Sequence, residues 1–132
     1  MTVGTPEIWW QSAGLSDVPD DDRWIDPTMV ARLGRMQYPK RISETRLARW
    51  TAKVAVAKIL GVEPNSESLR QVIIRNAPDG APEAWYDGEP LDGVIAMTDR
   101  ADWAVCAVLS DGGRVGCDLE LVEPRSDAFV AD

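Results

Sequence analysis

The chain contains no histidine. That absence removes imidazole as a general base, as a metal ligand and as the middle member of Ser-His-Asp or Cys-His catalysis. Cysteine is scarce as well. Cys106 and Cys117 are the only two, too few for a disulfide scaffold, and each sits in an apolar run that reads as core. Positive charge is in deficit, with 14 Lys and Arg against 22 Asp and Glu, for a net charge of −8. A field of that sign repels phosphate backbones and anionic headgroups, which excludes broad, salt-driven binding to nucleic acid or membrane. No run approaches the ~20 consecutive apolar residues of a membrane span, and the N-terminus lacks the basic-then-apolar order of a signal peptide. A cytoplasmic, reducing location is the expectation.

What is present has ordinary globular composition, 45% hydrophobic and 27% charged, and 132 residues fit a single domain over 1–132. The apolar run Glu7–Ala13 reads as a strand, and Asp17 to Asp22 as a solvated acidic loop. Asp26-Pro27 is a helix start, with Asp26 as cap and Pro27 in the first turn, and predicts a helix to about Gln37. A longer helix is predicted over Ser43 to Leu60, capped by Ser43 and stopped by Gly61, with an all-round apolar second half. Short strand-like runs follow at 71–75, 83–86, 94–98, 103–109 and 114–122. Asp-Gly turn signals at 79–80, 87–88 and 92–93 separate them, and Asp111-Gly112-Gly113 reads as an antiparallel hairpin turn. Helices first and strands later predict an α+β domain, an antiparallel twisted sheet packed against a long helix. Ser126 onward starts an amphipathic helix too short to stand alone and reads as the start of a longer element, with the expectation that the chain is one half of a larger protein.

Two patterns carry chemistry. Arg46, Arg49 and Lys53, at helical spacing, fall on one stripe of the long helix; that stripe reads either as an anion site or as a solvated face paired with nearby acids. In Val115-Gly116-Cys117-Asp118-Leu119-Glu120-Leu121, strand alternation puts Asp118 and Glu120 on one face. Turned inward, two carboxylates suit a hard cation such as Mg²⁺; turned outward, they are the polar face of an amphipathic strand.

The combination resembles the 4′-phosphopantetheinyl transferases of the two-lobed, surfactin-synthetase-activating type. Gly116-Cys117-Asp118-Leu119-Glu120 is similar to that family's G-[IV]-D-[IL]-E motif. Arg49-Trp50-Thr51-Ala52-Lys53 resembles its helical GRxxAK segment, Asp79-Gly80-Ala81-Pro82 its G-K-P loop, and the stretch from Met97 to Val105 its S-H-S-x-x-W/Y-[AV] strand and turn. Order and distances agree from about Tyr38 onward. Thr98-Asp99 replaces the family's Ser-His, with Arg100 as a nearby source of positive charge; Ala81 replaces the loop lysine and Ala48 the helix glycine.

The resemblance implies a pseudo-symmetric N-terminal lobe. The family's W-[SA]-x-K-E motif, with its catalytic lysine and further metal-ligand glutamate, is absent from this sequence, so no catalytic residue is assigned. It implies a holo-[acyl-carrier-protein] synthase type of reaction, in which phosphopantetheine moves from coenzyme A to a serine of an acyl or peptidyl carrier protein. Asp118 and Glu120 would hold Mg²⁺, and Arg49, Lys53 and Thr98 would bind the nucleotide portion. Expected partners are coenzyme A, the carrier protein, and a second copy or a missing C-terminal lobe covering an exposed apolar face. The alternative is a non-catalytic coenzyme A or carrier-protein binding module.

Overall fold

A computed structural model describes residues 8–110 except Ala77, Asp79, Ala81 and Asp92. The predicted strand at 114–122, the Asp111-Gly112-Gly113 turn, Cys117 and the short C-terminal helix lie outside the described residues. In chain order the elements are β1 (Ile8–Gly14), a 3₁₀ turn (Leu15–Asp17), α1 (Pro27–Gly34), α2 (Pro39–Ile59), α3 (Ser66–Gln71), β2 (Val72–Asn76), β3 (Pro82–Tyr86), β4 (Glu89–Pro90), β5 (Gly93–Arg100) and β6 (Trp103–Ser110).

The long helix organises everything else. At 21 residues α2 is about 30 Å long. It starts at Pro39 rather than at the predicted Ser43, because proline suits the first helical position and leaves no amide to satisfy. Its end matches the expected glycine stop. Gly61 takes φ +73°, the Gly61 amide donates to the Lys58 carbonyl (3.0 Å), and the Val62 amide reaches back to Ala57 (2.8 Å), closing a Schellman motif. α1 opens as the sequence indicates, with the Asp26 carboxylate accepting from the Met29 amide at 3.1 Å, but it closes at Gly34.

The expected antiparallel sheet structure is present, divided among the described residues into two three-stranded sheets ordered β1-β6-β5 and β2-β3-β4. α3 separates the long helix from β2. Asn65 and Ser68 cap it reciprocally, the Ser68 amide donating to Asn65 Oδ1 (2.9 Å) and the Asn65 amide to Ser68 Oγ (3.0 Å). Both sheets meet one side of α2, where Ala52, Ala55 and Val56 pack with Val72, Ile74, Ala84, Ile95, Cys106 and Val108. A second side of α2 is covered by Trp24, Ile25, Met29 and Leu69, packed on Val54 and Ala57. Two-sided cover explains why the second half of α2 is apolar all round. Among the described residues no helix is long and apolar enough to cross a membrane.

Two hairpin turns differ in strain. Asp87-Gly88 has positive φ at both residues, 50° and 83°, the conformation that Asp-Gly favours. Ala101-Asp102, between β5 and β6, repeats it at φ 53° and 64° without a glycine. A side-chain-bearing residue in the left-handed region costs roughly 1–2 kcal/mol. We expect Ala101→Gly to raise the unfolding free energy by about 1 kcal/mol, read as a higher denaturant midpoint at unchanged slope.

Candidate functional site

The basic stripe predicted on α2 does not act as one surface. Arg46 turns to the acidic loop, where its Nη1 pairs with Asp22 Oδ1 at 2.8 Å and its Nη2 donates to the carbonyls of Pro19 (2.9 Å) and Asp21 (3.2 Å). The guanidinium also stacks 5.2 Å from the Trp24 ring centroid. The loop expected to be a plain solvated connector is therefore pinned to the helix. Lys53 is fully buried. Its Nζ donates to Asp26 Oδ1 (2.6 Å) and to the carbonyls of Leu69 (2.9 Å) and Val72 (2.5 Å). Burial pushes the Lys53 pKa down, against the opposing pull of Asp26. Three acceptors thus surround the three protons of this ammonium inside the fold.

Arg49 keeps an outlook. It is buried to 7% exposure and donates from Nη1 to the Ile74 carbonyl at 3.0 Å, yet it lines a cleft of about 300 Å³. Arg32 from α1 and Arg41 from the first turn of α2 share that cleft, and Glu44, Thr45, Asn76 of β2 and Asp99 of β5 complete its polar lining. A smaller neighbouring cavity of about 100 Å³ continues past Arg32 and Arg49 to Arg35 and Arg75. Burial, then the nearby Arg32 charge, lower the Arg49 pKa, while Asp26 opposes. Two guanidiniums crowded in this way are stabilised by an anion between them, and planar donors in fork geometry suit phosphate oxygens.

The acids of the cleft temper that positive charge. Loss of hydration, then the Glu44 carboxylate, raise the Asp99 pKa, against the lowering effect of Arg41. Glu44 and Asp99 also line a second cleft, of about 330 Å³, walled by Lys40, Leu47 and the turn from Arg100 to Asp102. Arg100, noted in the sequence as a source of charge, thus stands on the far side of the two acids from Arg49.

Thr98 is not in the cleft. In the β5–β6 register Met97 lies opposite buried Cys106 and Thr98 opposite Val105, so Thr98 is on the sheet face away from α2. That outer face also carries Trp10 and Trp103, 59% and 55% exposed. Asp118 and Glu120 lie outside the described residues. Among the described residues no group of three or more His, Cys, Asp or Glu side chains could hold a metal ion. Arg32, Arg41 and Asn76 were missed in the sequence, because three separate elements bring them together and only Arg49 carried a motif. A larger apolar cavity, about 480 Å³, lies at the other end of α2 among Ile59, Leu60, Tyr86, Leu91 and Val108.

No family model and no curated protein matches the sequence. Solved structures do match in fold. A holo-(acyl-carrier-protein) synthase from Bacillus anthracis, solved with CoA (3′,5′-ADP), superimposes at TM-score 0.61 with 18% identity, over 80% of this chain and 96% of that one. The Neisseria meningitidis synthase gives 0.58 and 19%, over 79% and 96%. The Helicobacter pylori synthase, in complex with coenzyme A, gives 0.59 and 15%, over 79% and 100%. The chain therefore has the α+β fold of the holo-acyl-carrier-protein synthases.

Lys53→Met leaves Asp26 buried without its cation. We expect the unfolding free energy to fall by about 3–5 kcal/mol, measured by urea denaturation.

Proposed function

We propose that the chain is a coenzyme A-binding lobe of a 4′-phosphopantetheinyl transferase and contributes part of that enzyme's active site. The observation that carries this reading is the cleft in which Arg32, Arg41 and Arg49 converge, on a fold shared with synthases solved with coenzyme A. Arg41 and Arg32 hold the nucleotide phosphates by paired N–H donors. Arg49, fixed by the Ile74 carbonyl, gives the cleft a floor of unchanging charge. Lys53 acts as a positioning residue, holding Asp26 and the start of α1 so that Arg32 stays beside Arg49. Thr98 offers its hydroxyl on the outer sheet face, where Trp10 and Trp103 provide apolar area for a second lobe or a second copy.

In the reaction the carrier serine oxygen forms a bond to the phosphorus bearing the pantetheine arm. The phosphoanhydride bond to the adenosine side breaks, 3′,5′-ADP leaves, and the hydroxyl proton passes to solvent. Asp118 and Glu120 are the residues proposed for Mg²⁺, two oxygen donors of the hardness that ion prefers. Bound there, it would supply charge neutralisation at the pyrophosphate.

Calorimetric titration with coenzyme A tests the reading. Charge-assisted hydrogen bonds contribute about 1.5–3 kcal/mol each, so Arg32→Ala or Arg41→Ala is expected to weaken affinity by roughly ten- to a hundredfold. Asp118→Ala is expected to remove the Mg²⁺-dependent part of binding. Incubation with coenzyme A, Mg²⁺, apo carrier protein and the complementary lobe is expected to add the mass of the arm to the carrier. Binding without that mass gain would make the chain a binding module; no binding at all would end the proposal.

A further inference from the structure

We infer that Asp99 is the specificity-determining residue of the arginine cleft: it sets the ligand charge the cleft accepts, and a fully ionised phosphate or sulfate group enters with uptake of one proton by the Asp99 carboxylate. The inference deepens the reading of this cleft as a phosphate site and rests on it.

The geometry is that of a partition. Asp99 and Glu44 line both the 300 Å³ cleft and the 330 Å³ cleft beside it, so an anion against Arg32 and Arg41 meets two carboxylates on its remaining side. The charged groups around Asp99 come from every neighbouring element. α2 contributes Lys40, Arg41, Glu44 and Arg49, α1 contributes Arg32, and the β5–β6 turn contributes Arg100 and Asp102; β2 adds only the neutral Asn76. The guanidiniums stay charged at any working pH, so the balance of the cleft can change only at its acids. Desolvation and Glu44 already disfavour the ionised form of Asp99. A dianion placed on the arginines adds a second repelling charge to that of Glu44. Protonated, Asp99 ceases to repel and donates its O–H to the anion. The chain has no histidine, so no imidazole can mimic such a response near neutrality.

Sulfate is the cleanest probe, because it stays dianionic across the pH range in which the protein's carboxylates titrate, so a change of affinity belongs to the protein. Calorimetric affinity of the wild-type chain for sulfate is expected to climb as pH falls across that range, with a limiting slope of about tenfold per pH unit for one linked proton. Asp99→Asn is expected to bind tightly already at the alkaline end and to lose most of the slope. Glu44→Gln tests the same linkage without touching Asp99 and is expected to move the rise to lower pH. Adenosine 3′,5′-bisphosphate serves as the second ligand. Equal slopes in wild type and Asp99→Asn, or no gain in affinity for Asp99→Asn at the alkaline end, would overturn the inference and leave the phosphate site standing. Failure of both proteins to bind either ligand at any pH would overturn the inference and the phosphate reading together.

Discussion

The contact on which the rest of this structure depends is the buried pair of Lys53 and Asp26, at 2.6 Å with both side chains almost wholly removed from water. A pair in that position loses several kcal/mol of hydration per ion, which further hydrogen bonds must offset. Here every Lys53 proton and both Asp26 oxygens have a partner. Lys53 also grips the carbonyls of Leu69 and Val72, at the junction of α3 and β2, and the second Asp26 oxygen caps α1. One ammonium therefore ties four elements together: α2, α1, α3 and β2. Arg32 on α1, Arg49 on α2 and Asn76 on β2 are the side chains that this tie brings to a common cleft.

An acidic protein with a basic cleft is not a contradiction. The net charge acts over the distances of diffusional approach and disfavours large polyanions, whereas a small ligand inside the cleft feels guanidiniums at contact range. The same arrangement shows why spacing alone could not locate the site. Of the stripe on α2, Arg46 is paired with the acidic loop, Lys53 is held in the interior, and Arg49 alone lines the arginine cleft.

Local chemistry was legible in the sequence wherever one residue decides the outcome. Asp26 as a cap, Gly61 as a stop, the Asp87-Gly88 turn and the α+β order of elements all follow from backbone requirements of single positions. Boundaries set by competition were less legible. Pro39 outcompeted Ser43 for the start of α2, and the reciprocal cap of Asn65 and Ser68 made a helix to which the sequence reading assigns no element. Division into two sheets was not readable, because strand pairing is decided by contacts between distant residues. Nor was the outer placement of Thr98, since the parity of a strand is fixed by its register with β6 and not by its own sequence.

That parity has a consequence for how such a cleft could diverge. Thr98 and Asp99 are adjacent and face opposite sides of the sheet, and the short Ala101-Asp102 reversal locks which of them looks toward α2. Adding or deleting a single residue there would exchange the two side chains but would also turn Ile95 and Met97 out of the core, so the acid wall can change by substitution at Asp99 and not by a slip of register. The hairpin that supports the cleft therefore tolerates a change of side chain far more readily than a change of length.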